Sequence, residues 1–195
     1  MANTKRHRHT SEDLGRFLKS WVQDPKLIGA VAPSGRALAK LMSTGLRPGA
    51  RVIELGAGTG TVTEALLRAG VRPEDLFLLE RNEAFFDVLR RRFPRCTLVP
   101  ADALHLRERF ADSLQSFDFV VSGLPLLLFS AEQKRELVAQ VFDVLGPGGV
   151  YQQFTYGPRC PLGRVIRNRL GLEKMLLGFA ALNIPPAFVY RFSRA

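Results

Sequence analysis

The sequence predicts an α/β domain with a doubly wound, mostly parallel sheet and an N-terminal amphipathic helix extension. Three observations predict it. From Gly45 onward, short apolar runs alternate with segments of helical period, the rhythm of parallel strands joined by crossover helices. The first run enters a glycine loop, Val52-Ile-Glu-Leu-Gly-Ala-Gly-Thr-Gly60. The chain has 195 residues, 46% of them apolar, which suits one domain with a sizeable core.

The elements follow in order. Residues 11–24 place Leu14, Phe17, Leu18, Trp21 and Val22 on one helical face, with Arg16 and Lys19 on or beside the polar one. Ser11 or Thr10 can cap this helix, and Pro25 stops or kinks it. A short helix is expected after Pro33-Ser34, through residues 36–42. Strands are expected at 52–55, 76–80, 97–100, 117–122, 150–156 and 186–192. Helices are expected at 62–69, 84–93 and 131–145, the last stopped by Gly146-Pro-Gly-Gly149. The expected division is a basic, membrane-binding segment over 1–44 and a catalytic domain over 45–195.

Composition excludes several classes. The polar start, Met1 to His9, has no secretory apolar region, and the apolar run over 117–129 is too short for a bilayer span. Cys96 and Cys160 make neither a disulfide framework nor a metal cluster, so no metal is expected. The net charge of +10 is uneven. Residues 1–47 carry +6 (nine Lys/Arg, three Asp/Glu) and residues 157–195 carry +6 (seven and one). The middle is −2, with twelve and fourteen. Basic ends attract a polyanion, either nucleic acid or an anionic membrane.

The glycine loop lacks the Lys-Ser/Thr of a phosphate-binding P-loop, and its G-x-G-x-G spacing departs from the dinucleotide fingerprint. Glu54 stands two residues before the first glycine, where it disfavours phosphate and suits a cationic ligand, a sulfonium or an amino-acid ammonium. Glu80 ends the second strand about 20 residues on, the place from which an acid bonds ribose hydroxyls. Asp102 follows the third strand, where it could accept from an adenine amino group. Ser122-Gly-Leu-Pro125 follows the fourth. All lie at carboxyl ends of strands, the ligand-binding rim of such sheets.

That order resembles the class I S-adenosylmethionine-dependent methyltransferases, over roughly residues 45–156, and implies their Rossmann-like fold and their cofactor, S-adenosylmethionine. The resemblance implies that Glu54 and the backbone of Gly56, Ala57, Gly58, Thr59 and Gly60 hold the methionine end. Glu80, with Arg81 beside it, takes the ribose. Asp102 and the Ala103 amide read the adenine. Ser122, Leu124 and Pro125 border the methyl group and the acceptor.

Phe17-Leu-Lys-Ser-Trp21, Gly29-Ala-Val-Ala-Pro-Ser34, Ser122-Gly-Leu-Pro-Leu126 and Asn183-Ile-Pro-Pro-Ala-Phe-Val-Tyr190 resemble one branch, the soluble bacterial phospholipid N-methyltransferases. That branch converts phosphatidylethanolamine to phosphatidylcholine; close relatives act on ornithine lipids. Methylation of an RNA or a small molecule, or cofactor binding without catalysis, are the alternatives. The absence of an aromatic residue until Phe129 counts against stacking on a flipped base.

A basic helix with Phe17, Leu18 and Trp21 on one face and Lys19 on the other can lie in a headgroup interface, or close as a lid on the domain. Arg164 and Arg167 are expected at a second surface contact, or on a solvated helical face, and Arg159 near a lipid phosphate. Tyr156 is the candidate to hold a methylated ammonium by cation–π attraction, and Ser122 the other candidate beside the reacting atoms. His105 is expected to be structural or exposed. The expected setting is a monomer in the cytoplasm, peripheral on the inner face of the cytoplasmic membrane, with no nucleic-acid partner.

Overall fold

In the computed structural model, residues 33–181 and 186–195 are described. The expected helix over 11–24, with Phe17, Leu18, Lys19 and Trp21, lies outside them, as do residues 182–185. The strands are β1 (Val52–Leu55), β2 (Leu76–Glu80), β3 (Thr97–Pro100), β4 (Phe117–Ser122), β5 (Leu145–Tyr156), β6 (Leu172–Ala180) and β7 (Ala187–Arg194). The helices are α1 (Pro33–Met42), α2 (Thr61–Arg68), α3 (Glu83–Arg92), α4 (Leu106–Arg109), α5 (Ala131–Val144) and α6 (Arg164–Arg169).

One seven-stranded sheet has the order β3-β2-β1-β4-β5-β7-β6. Its pairs are parallel from β3 through β5, and β7 runs antiparallel to both β5 and β6. The chain builds outward from β1 to β3, then returns to place β4 on the other side of β1. The strand order therefore reverses between β1 and β4, where open α/β sheets form a crevice at the carboxyl ends.

Both faces are covered, so the central strands are continuous apolar runs rather than alternating ones. Ile53, Leu55, Phe117, Val120, Val141 and Tyr151 belong to the core on one face. Val52, Leu66, Leu78, Leu89, Val121 and Phe154 belong to the core on the other. Successive residues such as Val120 and Val121 serve opposite faces, as the strand period requires. The short helix α1 is part of this second layer. Its Leu38, Ala39 and Met42 are buried, and it packs on α2 and β6.

β5 and β6 differ most from expectation, and the short α4 (Leu106–Arg109) is also unexpected. Sheet pairing starts at Leu145 rather than at residue 150, with a register shift opposite Phe117 and Phe119 that accommodates the glycines. Residues 172–180 form the edge strand β6, where no strand is expected. Leu, Lys, Glu and Met there are helix formers without period-2 alternation. Pairing with β7 overrides that local preference.

Candidate functional site

The glycine loop is tied to the strands on either side of β1. The Gly56 N–H donates to the Leu79 carbonyl at 2.8 Å, and the Gly123 N–H donates to the Leu55 carbonyl at 2.8 Å. The loop thus sits at the crevice between β2, β1 and β4. Two of its glycines have a packing reason. Gly56 has φ +70°, and a Cβ there would lie 2.8 Å from the Leu124 side chain. Gly60 has φ +85°, and a Cβ there would run into the Phe93 ring. Gly58, at φ +56°, has nothing within 4 Å of a Cβ position, so its outer side is open.

Glu80 and Asp102 converge on this opening from the ends of β2 and β3. One Glu80 oxygen accepts the Gly58 N–H at 2.9 Å, and the other accepts the Asn82 N–H at 2.8 Å. A carboxylate has about four acceptor positions, so each oxygen keeps a lone pair for a further donor. Asp102 accepts the Leu104 N–H at 3.0 Å and pairs with Arg81 at 2.9 Å. The Arg81 side chain is exposed, so this pair contributes at most about 1 kcal/mol of stability. Its use is geometric, since it holds the ends of β2 and β3 in one arrangement. The buried Ala103 starts a single 3-10 turn that Asp102 caps.

Glu54 lies beneath the loop rather than beside its open face. It is buried and accepts the Thr63 hydroxyl at 2.7 Å and the Thr63 backbone N–H. Burial pushes its carboxyl up to about 8, against the two Thr63 bonds. At neutral pH the acid is therefore largely protonated, and a cation brought close would favour the charged form.

Fully buried, Ser122 accepts the Leu124 N–H at 3.3 Å and is hydrogen-bonded with Tyr151. Tyr151 donates to Gln153 at 2.6 Å, and Gln153 donates to the Leu124 carbonyl at 2.9 Å. The loop after β4 is thus fixed from below by a buried polar network. Leu124 leans on Gly56, and Pro125 leads into a 3-10 turn over Leu126–Leu128. Tyr156, at the carboxyl end of β5, belongs to the core on the α1 side, 5.4 Å from the Phe154 ring centroid. Burial raises its phenol to about 12, so it is not a base near neutrality. Arg159 and Arg164 are exposed, while Arg167 donates to the Leu162 carbonyl at 3.1 Å. His105 is exposed, 3.5 Å from Glu108.

Several supports have no motif in the sequence. Thr63 holds Glu54, and Asn82 caps α3 through the Ala84 and Phe85 N–H groups. Arg92 donates to the Thr59 carbonyl, and Phe93 fills the space that Gly60 leaves. Gln153 orders the loop after β4. Their signal is tertiary, because each acts on a loop from another element.

The Methyltransferase domain family matches residues 52–149, the stretch that carries the loop, both rim acids and β4. The chain belongs to that family. A relative from Singulisphaera acidiphila, an ornithine lipid N-methyltransferase, is 32% identical over 186 residues, covering 92% of this chain and 95% of its own. A demethylmenaquinone methyltransferase from Renibacterium salmoninarum is 29% identical over 76% of this chain and 60% of its own.

Among solved structures, 1,6-didemethyltoxoflavin-N1-methyltransferase from Burkholderia thailandensis, with bound S-adenosylhomocysteine, superposes with a TM-score of 0.69. It shares 15% identity and covers 100% of this chain and 93% of its own. Magnesium protoporphyrin IX methyltransferase from Synechocystis, with bound S-adenosylmethionine, has a TM-score of 0.61 at 14% identity over 83% and 78%. These likenesses carry the fold.

The rim of this methyltransferase fits S-adenosylmethionine, the cofactor that the sequence resemblance implies. The open side of Gly58 admits a ligand against the backbone, and Glu80 retains acceptor capacity for hydroxyls. When bound, the cofactor supplies an electrophilic methyl group on a sulfonium. The chain's own task is then to align the pair and exclude water, since no strong base stands at the rim among the described residues.

Proposed function

We infer that this methyltransferase methylates the headgroup amine of a membrane lipid, with an ornithine lipid as the favoured acceptor. The end-to-end likeness to the Singulisphaera ornithine lipid N-methyltransferase carries this reading. That likeness supports the ornithine lipid better than phosphatidylethanolamine, the acceptor that the motifs around Ser122 and Phe17 suggest first.

The acceptor half of the rim fits such a substrate. After Ser122 come Leu124, Leu126, Leu127, Leu128 and Phe129, an apolar border in which Leu127 and Leu128 are exposed. An amine arriving there must lose its proton before its nitrogen forms the new bond to carbon. A nearby sulfonium lowers the amine pKa and so eases that loss. The buried Ser122–Tyr151–Gln153 network fixes the border against which the amine is aligned. Glu54 and Glu80 then serve the donor, Asp102 its base, and Arg159 the anionic part of the headgroup.

Among the described residues no helix is long and apolar enough to cross a membrane. On this reading the lipid is reached from its surface, with the basic ends of the chain supplying attraction of about 1 kcal/mol per Lys or Arg near an anionic leaflet.

The test is incubation with labelled S-adenosylmethionine and vesicles holding ornithine lipid or phosphatidylethanolamine, beside a parallel RNA sample. Label in ornithine lipid supports the favoured reading, and label only in phosphatidylethanolamine moves the acceptor to the second. Label in RNA with both lipids untouched sinks both.

A further inference from the structure

We propose that the outer face of the β6–β7 hairpin, with the start of α6, is a contact surface for an anionic bilayer. The proposal rests on the lipid-amine reading for its purpose, but its test is independent of any turnover.

The register defines the face. Leu176 lies opposite Tyr190 and Phe179 opposite Phe188, so their side chains share the side of the sheet that bears Tyr190 and Phe192. Phe179 stacks on Phe188 with centroids 5.6 Å apart, and the Lys174 ammonium lies 5.9 Å from the Tyr190 ring centre. Yet Phe179 is 58% exposed and Leu176 52% exposed. Val165, at the start of α6, is 76% exposed. α6 packs on β6 and joins it through a short turn at Leu170-Gly171. With rises of about 1.5 Å per helical residue and about 3.3 Å per strand residue, Val165 comes level with the stretch around Lys174, in the first half of β6.

The charge around this apolar belt is predominantly positive. Residues 157–195 carry seven Lys/Arg against the single acid Glu173. Arg164, Lys174 and the half-buried Arg167 lie among the exposed apolar residues. An apolar row on an edge strand invites pairing with another chain unless charges or a partner cover it. Here the cations are interleaved with the aliphatic Val165 and Leu176 and the aromatic Phe179. The aliphatic members offer no ring on which a base could stack, whereas all three bury in the boundary between headgroups and acyl chains.

Position gives the surface its use. Phe179 and Phe188 lie next to Ala187, which pairs with Tyr156 at the carboxyl end of β5. That is the rim on which Ser122 ends β4 and where Leu127 and Leu128 are exposed. A bilayer laid on this face meets the acceptor half of the rim and leaves the donor half, over β1 to β3, turned away.

Two measurements on the full chain test this. The first is sedimentation with phosphatidylglycerol/phosphatidylcholine vesicles. Leu176→Asp/Phe179→Asp should partition at least about tenfold more weakly, with S-adenosylhomocysteine binding unchanged as the control for folding. The second needs no disruptive charge. The chain has one tryptophan, so Trp21→Phe/Phe179→Trp leaves a single reporter on the face. Its emission should shift to the blue on vesicles and be quenched by brominated lipids.

Unaltered sedimentation of the charged variant, or an unshifted reporter on sedimenting protein, overturns the proposal. So does a wild-type dimer that the charged variant dissociates without loss of vesicle binding, which would make the face a contact between copies. If the reporter shifts but no amine lipid is ever labelled, the surface stands and the lipid-amine reading falls. Labelled lipid with a silent reporter gives the reverse.

Discussion

Glu80, at the end of β2, accepts the backbone N–H of Gly58 at 2.9 Å and so ties the glycine loop to the neighbouring strand. The same carboxylate is expected to meet the ribose, so one side chain shapes the loop and binds its ligand. Glu80→Ala should weaken cofactor binding about 10- to 100-fold, the range of about 1.5–3 kcal/mol for a hydrogen bond to a charged group. Calorimetric titration with S-adenosylhomocysteine reads it, and Glu80→Gln, which keeps an acceptor toward Gly58, should recover part of the loss.

The burial that raises the Glu54 carboxyl to about 8 makes stability fall with pH. The unfolded chain releases this proton near 4.5 and the folded chain holds it to about 8. The contribution is therefore fully present below about 4.5 and is lost as pH rises toward 8, by about 1.4 kcal/mol per unit at the steepest. Urea melts between pH 5 and 9 should show this slope, and Glu54→Gln should flatten it. Binding of a cationic ligand beside Glu54 should release a proton at pH 7, read by titration in two buffers of different ionisation enthalpy.

Gly60→Ala tests the contact with Phe93. The left-handed φ costs about 1–2 kcal/mol for an L residue, and crowding the ring adds about 1–3 kcal/mol. Adding Phe93→Leu should restore the packing part alone, so the double variant should melt between Gly60→Ala and the parent chain. Melting of the double variant at or below Gly60→Ala would show that the ring is not the obstacle.

Gln153→Leu removes the donor to the Leu124 carbonyl without touching the donor side of the rim. Cofactor affinity should hold while kcat falls about tenfold or more, because slight misplacement of aligned reactants is costly. Equal loss in KM with kcat unchanged would place Gln153 in acceptor binding instead.

Met42→Ala should lower stability by about 2–5 kcal/mol, since Met42 is fully buried between α1 and the sheet. A smaller effect than 1 kcal/mol would mean that α1 is not part of the cooperative unit.

Much of this fold is legible along the chain. The runs at 52–55, 76–80 and 117–122 are apolar throughout because both faces of the sheet are covered, and their spacing leaves room for one crossover helix each. Gly56-x-Gly58-x-Gly60 with Glu54, Glu80 and Asp102 marks the rim because strand ends are fixed by local sequence. By contrast β6 carries no period-2 alternation that would mark it as a strand, and its pairing with β7 makes it one.

The sequence by itself determined the class of the sheet and where its carboxyl-end rim lies, since both depend on short-range pattern and on the order of strands. The tertiary structure decided what those residues do to one another. It put Glu54 under the loop against Thr63, brought Phe93 into the space of Gly60, and set Gln153 behind Leu124. It also left Leu176 and Phe179 in solvent on an edge strand. The reason is that burial and partnership are properties of elements packed from distant parts of the chain, whereas periodicity and turn chemistry act between neighbours.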